Sequence, residues 1–329
     1  MIARVRSGEP DAAADERTAG AVRRAVRFLA DMQEPAGCWI DFEVDRADES
    51  DAWVTGYAGT ALRAAATAYG IPAGAPLDAA ASFLRTALRE RAGWGFNGDA
   101  PPDADSTAWA LIMLHGAGGA PAAAAAALRA HRRADGGFST YLRFSDPSMW
   151  RETQADVTAA ALFALLGEPR ADRAWLAPAA DYLRARQAAD GGWESFWYAT
   201  PVFAALHAVH ALARFDAPAA PGCRAGDAVR FALRTVQADD PFALGCTAEL
   251  VLAYGDPSDA WPLIRALVAL QRPDGRWTAA RPFMRPDPWN YAAGDPDAAI
   301  ADKYGVFTTA TVLRALAAAR ASARDDRDA

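Results

Sequence analysis

The sequence predicts an all-α fold in which six helical hairpins close into an (α/α)6 barrel. Three observations support this prediction. A short phrase that ends in an Asp-Gly turn and an aromatic residue recurs along the chain. Segments rich in Ala, Leu and Arg, with apolar residues at helical spacing, flank its copies. No segment shows the alternating pattern of a half-buried strand.

The recurring phrase is clearest at 187–193 and 271–277, where Gln, an Asp-Gly turn and Trp follow a helix. Weaker copies have their aromatic residue at Trp39, Trp94 and Phe138, and a degenerate sixth covers 237–242. The spacing of the copies varies, and the connections 39–51, 138–153 and 277–302 are long. An open solenoid tends to keep a uniform period, so these features favour a closed ring.

Each copy separates an outer from an inner helix. Outer helices are predicted at 21–32, 77–91, 122–133, 177–187, 226–237 and 260–271. Inner helices are predicted at 51–69, 105–115, 155–166, 200–214, 246–254 and 305–320. The polar segments 1–19 and 321–329 are expected to be disordered tails, which leaves 20–320 as one barrel domain.

Composition excludes several classes of function. A net charge of −7 argues against nucleic acid as a partner, because such proteins need a basic face. Every apolar run stops well short of the ~20 residues that span a bilayer, and the first 20 residues lack a signal-peptide core. Three isolated cysteines favour a reducing compartment. A cytoplasmic protein without a transmembrane segment is expected.

The starts of the inner helices carry distinctive motifs, which are Asp103-Ala-Asp105-Ser106-Thr107-Ala108, Asp156-Val157-Thr158, Tyr198-Ala-Thr200 and the segment from Asp302. With the Gln-x-x-Asp-Gly-x-Trp turns, they resemble the squalene–hopene and oxidosqualene cyclase superfamily of class II terpene cyclases. The resemblance covers most of the chain, but only as a single barrel. It implies that Asp105 corresponds to the middle acid of the family motif D-x-D-D-T-A.

The sequence departs from the family pattern in two places. Ser106 stands at the third acidic position, and Ala160 stands where the family has a His after D-V-T. The segment 245–249 also echoes an oxidosqualene cyclase motif, with Gly245 in place of the acid, and is interpreted as repeat ancestry. Family members usually carry a second α-barrel domain; whether a partner chain supplies one stays open.

The acid motif suits the protonation of an alkene or epoxide. Two carboxyls in a small, dry site cannot both ionise cheaply, so Asp103 can keep a proton on Asp105. Ser106, Thr107 and Asp156 are the candidates for supporting that acid. The alternative is structural, since the Asp105 carboxylate can simply cap its helix.

A carbocation needs apolar walls rich in ring faces. The candidates for lining such a cavity are Trp53, Tyr57, Trp109, Trp197, Tyr198, Tyr304 and Phe307. Trp53, Tyr57, Trp109 and Phe307 are expected to face one common void. Ordinary core packing is the open alternative for these rings.

The remaining polar candidates concern a diphosphate. Arg281, Arg285 and Lys303 can hold one, although a surface role is the alternative. The acidic run 41–51 is interpreted as a solvated loop, with Mg²⁺ binding as the alternative if the substrate is a diphosphate. His207 and His210 are interpreted as structural, because a prenyltransferase-like set of zinc ligands is not evident. No resident metal or other cofactor is expected.

The predicted function is class II-type terpene cyclisation of a linear isoprenoid, started by proton transfer from Asp105. The departures at Ser106 and Ala160 favour a rival, a non-catalytic barrel that binds prenyl chains or a partner protein. A different enzyme on the same barrel, such as a prenyltransferase or a sugar-processing enzyme, is the other alternative.

Overall fold

The computed structural model describes residues 12–44, 48–88, 93–143, 148–218, 223–279, 281–289 and 298–328. Twelve α-helices make up most of these residues. In chain order they are α1 (Ala12–Asp31), α2 (Ala52–Tyr69), α3 (Gly74–Ala87), α4 (Ala104–His115), α5 (Ala122–Ala130), α6 (Ala155–Leu165), α7 (Arg173–Arg186), α8 (Pro201–Asp216), α9 (Ala225–Thr235), α10 (Pro241–Tyr254), α11 (Pro257–Leu270) and α12 (Val306–Asp328).

The even-numbered helices form a closed inner ring. Each packs against the next, from α2 through α4, α6, α8 and α10 to α12, and α12 returns to pack against α2. The odd-numbered helices lie outside them. Inner helices such as α4 and α10 are buried on nearly every face, which explains why they are apolar all round. The predicted (α/α)6 barrel is confirmed, with 51–69 and 305–320 both on the inner wall.

The recurring turn joins neighbouring outer helices. The Gln187 amide donates to the carbonyl of Gly191 in its own turn and to that of Arg224 at the start of α9, both at 3.0 Å. The Trp193 indole N–H donates to a carbonyl near the end of α7 at 2.7 Å. Gly191 has φ 101°, and a Cβ there would lie 2.4 Å from the backbone of Asp227. Glycine is therefore required by both conformation and space.

The same turn closes the outer layer. The Gln271 amide donates to Gly275 in its own turn and to Ala21 on α1, both at 2.8 Å. The last outer helix is thereby attached to the first, across 250 residues of sequence.

Short antiparallel ladders lie in the long connections, where the sequence indicated no strands. They are β1 (Asp41–Val44) with β2 (Asp48–Ser50), β3 (Phe138–Ser139) with β4 (Thr153–Gln154), and β5 (Phe283–Met284) with β6 (Ala299–Ile300). Strands of two to four residues are too short to produce a readable alternation. A 3₁₀ turn, Met149–Arg151, precedes β4.

Helix α10 begins at Pro241, five residues before the predicted start at 246. The Asp240 carboxylate caps it by accepting from the backbone N–H groups of Phe242 (2.9 Å) and Ala243 (3.4 Å). The segment 245–249 consequently lies in the second turn of the helix and does not open it.

The end helices extend beyond the predicted domain boundaries at 20 and 320. Helix α1 already begins at Ala12 and α12 continues to Asp328, so 12–19 and 321–328 are helical. The two helices pack together, and Arg320 approaches Asp15 at 3.6 Å. Residues 1–11, where a disordered tail was also expected, lie outside the described residues.

Candidate active site

Helix α4 begins with a buried carboxyl that caps it. Asp103 Oδ1 accepts from the backbone N–H of Ser106 at 2.8 Å, and Oδ2 accepts from the Ser106 hydroxyl at 2.7 Å. Burial raises the pKa of Asp103 to about 7. The capping residue is thus Asp103, which leaves Asp105 free of that role.

Asp105 projects from the first turn of α4 and is 8% exposed. Tyr198, in the loop before α8, donates its hydroxyl to Asp105 Oδ2 at 2.8 Å. Burial, and then the charge of Asp103, raise the pKa of Asp105 well above its usual range, while the Tyr198 hydrogen bond opposes them. Burial and the charge of Asp103 both favour the neutral, protonated form of Asp105.

Two residues predicted to support the acid, Ser106 and Thr107, use their hydroxyls on other groups. The Ser106 hydroxyl donates to Asp103, as above, and not to the Asp105 carboxyl. Thr107 accepts from the backbone N–H of Trp94 at 3.1 Å and donates to its carbonyl at 3.2 Å. The predicted role of Thr107 is corrected, because its hydroxyl braces the repeat turn.

The Thr107 contact has counterparts in three other repeats. Thr55, Thr158 and Thr309 each accept from the backbone N–H of the turn aromatic before their helix, at 2.8–2.9 Å. The motif threonine thus belongs to the architecture of the barrel.

Asp156 supports the site indirectly. Its Oδ2 accepts from the backbone N–H groups of Phe196 and Trp197, both at 2.8 Å. Burial raises the pKa of Asp156. These bonds hold the loop whose next residue is Tyr198, so Asp156 positions the hydroxyl that reaches Asp105.

Most of the predicted aromatic residues meet inside the inner ring. Phe307 on α12 lies 5.0 Å from Trp53 and 4.2 Å from Tyr57, measured between ring centroids. Tyr57 lies 4.7 Å from Trp109. These rings come from the neighbouring helices α12, α2 and α4, and Phe203 on α8 reaches Tyr57 from the opposite side of the inner ring at 6.2 Å. We call the set the aromatic cluster; its members are Phe42, Trp53, Tyr57, Trp109, Tyr198, Phe203, Phe283 and Phe307.

The rings do not border one common cavity. Trp53 and Trp197 line a small cavity of about 40 Å³ beside Asp103 and Asp105. Trp109 instead lines a separate cavity of about 230 Å³ further along the inner helices. Tyr57 and Phe307 line neither cavity and are completely buried by their neighbours. The expectation of a single void shared by all four rings is therefore wrong.

Tyr304 lies outside the aromatic cluster. Its hydroxyl donates to Glu49 at 3.2 Å, and Lys303 lies 5.0 Å from the centre of its ring. Lys303 itself pairs with Glu43 at 2.6 Å and with Glu49 at 2.7 Å. These carboxylates raise the pKa of Lys303, which stays protonated, and their negative charges balance its positive charge. Lys303 therefore does not fit the predicted role of a free cation for a diphosphate.

Arg281 and Arg285 remain exposed near β5. The Arg285 backbone N–H donates to the carbonyl of Ala298 at 2.7 Å, and its charge lowers the pKa of the nearby Tyr141, which burial raises. Neither Arg281 nor Arg285 lines the cavity beside Asp105.

The acidic run 41–51 is only partly a solvated loop. Asp41 is fully buried, and its carboxylate accepts from the backbone N–H groups of Tyr304, Val306 and Phe307 at 2.9–3.2 Å. Asp51 caps α2. Residues 45–47 lie outside the described residues. Because Glu43 and Glu49 are paired with Lys303, the described acids of this run do not fit a Mg²⁺ site.

The structure brings together a set of polar residues to which the sequence analysis gave no catalytic role. They line the larger cavity, which we call the axial cavity. Each of the six inner helices contributes to its wall, with Thr60, Trp109, Ala160, His207, Glu249 and Arg314 among the lining residues. Glu249 lies in the segment 245–249 that was attributed to repeat ancestry. Glu249 and Arg314 are charged residues within apolar helices, and such residues are rarely buried without a partner. That pattern is the signal by which the sequence could have revealed the pair.

Within the described part of the chain, no three His, Cys, Asp or Glu side chains form a group that could hold a metal ion. His210 uses both ring nitrogens on protein partners, Tyr254 at 2.9 Å and Glu249 at 3.2 Å. Across the same described residues, every helix is too short or too polar to span a bilayer.

Comparison with solved structures identifies the fold; no family model and no curated protein matches the sequence. Type II terpene cyclase MstE from Scytonema is 24% identical, with a TM-score of 0.78 over 93% of this chain and 99% of that chain. The ent-copalyl diphosphate synthase from Streptomyces platensis is 22% identical, with a TM-score of 0.58 over 82% of this chain and 50% of that chain.

A protein from Actinoplanes is 30% identical, with a TM-score of 0.74 over 92% of this chain and 99% of that chain. The chain belongs to one family with this protein and has, in a single barrel, the fold of the class II terpene cyclases.

Proposed function

We propose that the protein is a class II terpene cyclase in which Asp105 protonates a terminal double bond or epoxide of an isoprenoid. The observation that carries the proposal is a buried Asp105 that accepts a hydrogen bond from Tyr198 and lies beside a cluster of aromatic rings. A carboxylic acid in such a place can deliver a proton to carbon, whereas a solvated one is too weak and too hydrated.

The Tyr198 hydrogen bond favours one oxygen of Asp105 as the proton donor. Because Tyr198 donates to Oδ2, the proton to be transferred is proposed to lie on Oδ1. In the reaction the alkene π electrons form the new C–H bond, the Oδ1–H bond breaks, and Asp105 becomes a carboxylate. Tyr198 then stabilises that carboxylate, since hydrogen bonds to a charged acceptor are stronger than those to a neutral one.

The aromatic cluster suits the cation that follows. The rings of Phe283 and Phe307 each lie 5.0 Å from that of Trp53 near the start of α4, and such faces attract a cation without capturing it. Phe42 adds a stacked ring at 5.3 Å from Trp53. The final cation then loses a proton to the Asp105 carboxylate, directly or through water; the C–H electrons form a C=C bond, the ring product is neutral and the acid is restored.

Neighbouring residues can replace what the two departures from the family pattern remove. Asp103 accepts hydrogen bonds from the backbone N–H and the hydroxyl of Ser106, and its charge raises the pKa of Asp105. Ala160 leaves the place of the family His open and lines the axial cavity. Tyr198 supplies a hydrogen bond to the middle acid without that His.

Substrate entry requires the rings to separate. The cavity beside Asp105 measures about 40 Å³, far less than the ~150 Å³ that holds a benzene molecule. An isoprenoid must therefore push Trp53 and its neighbours apart as it binds. MstE, which shares the fold, has been solved with geranylgeranyl dihydroxybenzoate as substrate and merosterolic acid A as product, which supports an isoprenoid substrate here.

The test compares wild type with Asp105→Asn and Asp103→Asn. The substrates are geranyl, farnesyl and geranylgeranyl diphosphates, squalene and geranylgeranyl dihydroxybenzoate, with products identified by mass spectrometry. Asp105→Asn should lower cyclisation by at least the ~10²–10⁴-fold typical of a lost general acid. Asp103→Asn should cost less, because Asn still caps α4 and Asp103 only biases Asp105.

Asp240→Asn is the matched control, since Asp240 caps another inner helix and has no contact with Asp105. Full turnover by Asp105→Asn refutes the acid assignment. Tight isoprenoid binding by wild type without any cyclised product favours the non-catalytic binding barrel instead.

A further inference from the structure

Only one of the two carboxyl oxygens of Asp105 has a hydrogen bond of normal geometry. Tyr198 donates to Oδ2 at 2.8 Å, whereas Oδ1 has no such bond from any residue that the structure describes. Once the proton leaves Oδ1, that oxygen carries negative charge in a buried site. A buried carboxylate oxygen without a donor is costly, so the reaction gains from a second donor at this position.

Trp109 offers such a donor. It follows Asp105 by four residues in α4, so the two side chains lie on the same face of the helix with Cβ atoms ~5–6 Å apart. Its indole Nε1 is buried and makes no hydrogen bond of normal geometry within the described part of the chain. Burial and the charge of Asp103 raise the pKa of Asp105, whereas the nearby N–H of Trp109 lowers it. The donor therefore faces the carboxyl and has no other partner.

The neighbours of Trp109 hold its ring in place. The ring of Tyr57 meets it edge to face at 4.7 Å, and the ring of His207 lies nearly perpendicular to it at 5.1 Å, measured between centroids. The Arg314 guanidinium lies 5.8 Å from its centre. The indole N–H is thus fixed in position before the reaction begins, and a donor fixed in this way needs no reorganisation when charge develops beside it.

The missing partner in the resting protein decides which form of Asp105 this donor favours. A buried N–H without an acceptor costs free energy while Asp105 is a neutral acid. The ionised carboxylate supplies the acceptor, and hydrogen bonds to a charged oxygen are shorter and stronger than those to a neutral one. The N–H of Trp109 consequently stabilises the state after proton transfer more than the state before it.

We propose that the indole N–H of Trp109 donates to Oδ1 of Asp105 once the proton has left that oxygen, so that Trp109 and Tyr198 each stabilise one oxygen of the carboxylate. The inference rests on the proposed cyclase function and adds a residue to its acid. As the alkene π electrons form the new C–H bond, the electrons of the Oδ1–H bond stay on Oδ1, where the N–H of Trp109 meets them. When the final cation returns a proton to the carboxylate, the contact weakens again.

The test separates the N–H of Trp109 from its ring. Replacing Trp109 by benzothienylalanine keeps the shape of the indole but puts sulfur in place of the N–H, and Trp109→Phe removes the N–H together with part of the ring. Cyclisation is measured with the isoprenoids used to test Asp105. The benzothienylalanine variant should lose about tenfold or more in kcat with KM nearly unchanged, as expected when one hydrogen bond to a charged group is lost. Trp109→Phe should lose at least as much.

A binding measurement probes the same contact without turnover. A farnesyl chain that ends in a protonated dimethylamino group imitates the first tertiary cation and pairs with an ionised Asp105, whereas the same chain ending in an isopropyl group is uncharged. Both are titrated by calorimetry. Loss of the Trp109 N–H should weaken binding of the amine about tenfold and leave binding of the hydrocarbon unchanged. Asp105→Asn should remove the preference for the amine.

Trp277→Phe is the matched control. The indole N–H of Trp277 donates to the carbonyl of Leu267 at 2.7 Å and braces a repeat turn, so this variant should lower stability and leave kcat and the ratio of amine to hydrocarbon binding unchanged. Melting temperatures verify that all variants fold. Full kcat and an unchanged binding ratio in the benzothienylalanine variant, or losses confined to Trp109→Phe, overturn the inference, because the ring and not its N–H then matters.

The two proposals fail separately. If wild type cyclises no isoprenoid but binding of the amine depends on the Trp109 N–H, the cyclase function fails and the contact with Asp105 stands. If wild type and the benzothienylalanine variant cyclise equally well while Asp105→Asn does not, the inference about Trp109 fails and the function of Asp105 stands.

Discussion

Replacing Tyr198 by Phe removes the hydroxyl that donates to Asp105 Oδ2 at 2.8 Å and leaves the ring in place. That hydrogen bond stabilises the carboxylate more than the acid, so its loss raises the pKa of Asp105 further and makes it a weaker proton donor. A hydrogen bond to a charged group is worth about 1.5–3 kcal/mol. At ~1.4 kcal/mol per factor of ten, kcat for cyclisation should fall about 10- to 100-fold.

Substrate binding should change little in Tyr198→Phe. The ring of Tyr198 stacks on Phe203 with centroids 3.6 Å apart, and phenylalanine preserves that contact. The expected signature is therefore a lower kcat with a nearly constant KM, measured by steady-state product formation.

Tyr182→Phe is the matched control for this prediction. Its hydroxyl donates to the carbonyl of Thr153 at 3.0 Å from the outer helix α7, away from Asp105. It should lower stability slightly and leave kcat unchanged. An unaltered kcat in Tyr198→Phe, or equal losses in both variants, would refute the reasoning that Tyr198 tunes the acid.

Three further predictions concern the site and its support. Burial raises the pKa of Asp103 to about 7 from an unfolded value of ~3.9, so the contribution of Asp103 to stability falls as pH rises between these values. The melting temperature of Asp103→Asn should therefore rise relative to that of wild type from pH 5 to pH 8. A difference that stays constant across this range would contradict the prediction. Thr107→Val removes both bonds to the backbone of Trp94 and should cost about 1–2 kcal/mol in urea unfolding with kcat nearly unchanged, whereas a selective loss of kcat would restore its role beside the acid. Glu249→Gln leaves the Arg314 charge buried without its partner and should cost about 3 kcal/mol or more, and a variant as stable as wild type would show that the pair is not buried as described.

The predictions from sequence succeeded where the responsible residues are close together in the chain. Asp103 and Asp105 share one turn of α4, so a motif could reveal them as a pair. It could not reveal which of them caps the helix. That depends on the extended backbone of Asp103, whose φ of −129° and ψ of 163° point its carboxylate back at Ser106.

Predictions that depended on the packing of distant helices succeeded less well. Tyr304 is an aromatic residue at the start of an inner helix and was therefore expected to line the cavity, yet it lies beside Glu49 outside the aromatic cluster. Lys303 appeared as a free cation, and the loop that brings Glu43 and Glu49 against it decided otherwise. Both outcomes follow from the folding of the 41–51 connection, which has no repeat signature.

The sequence by itself determined the barrel. The clearest repeats use a glutamine to bridge two outer helices and a glycine where the backbones touch. Those requirements recur as a readable pattern at Gln187 and Gly191 and again at Gln271 and Gly275. The tertiary structure alone decided the chemistry of the site. Tyr198 reaches Asp105 across 93 residues of sequence, and Arg314 reaches Glu249 across 65. Helical periodicity specifies that a face is buried, but the rotation of each inner helix about its axis determines which buried polar groups meet, and that rotation is set by packing around the whole ring.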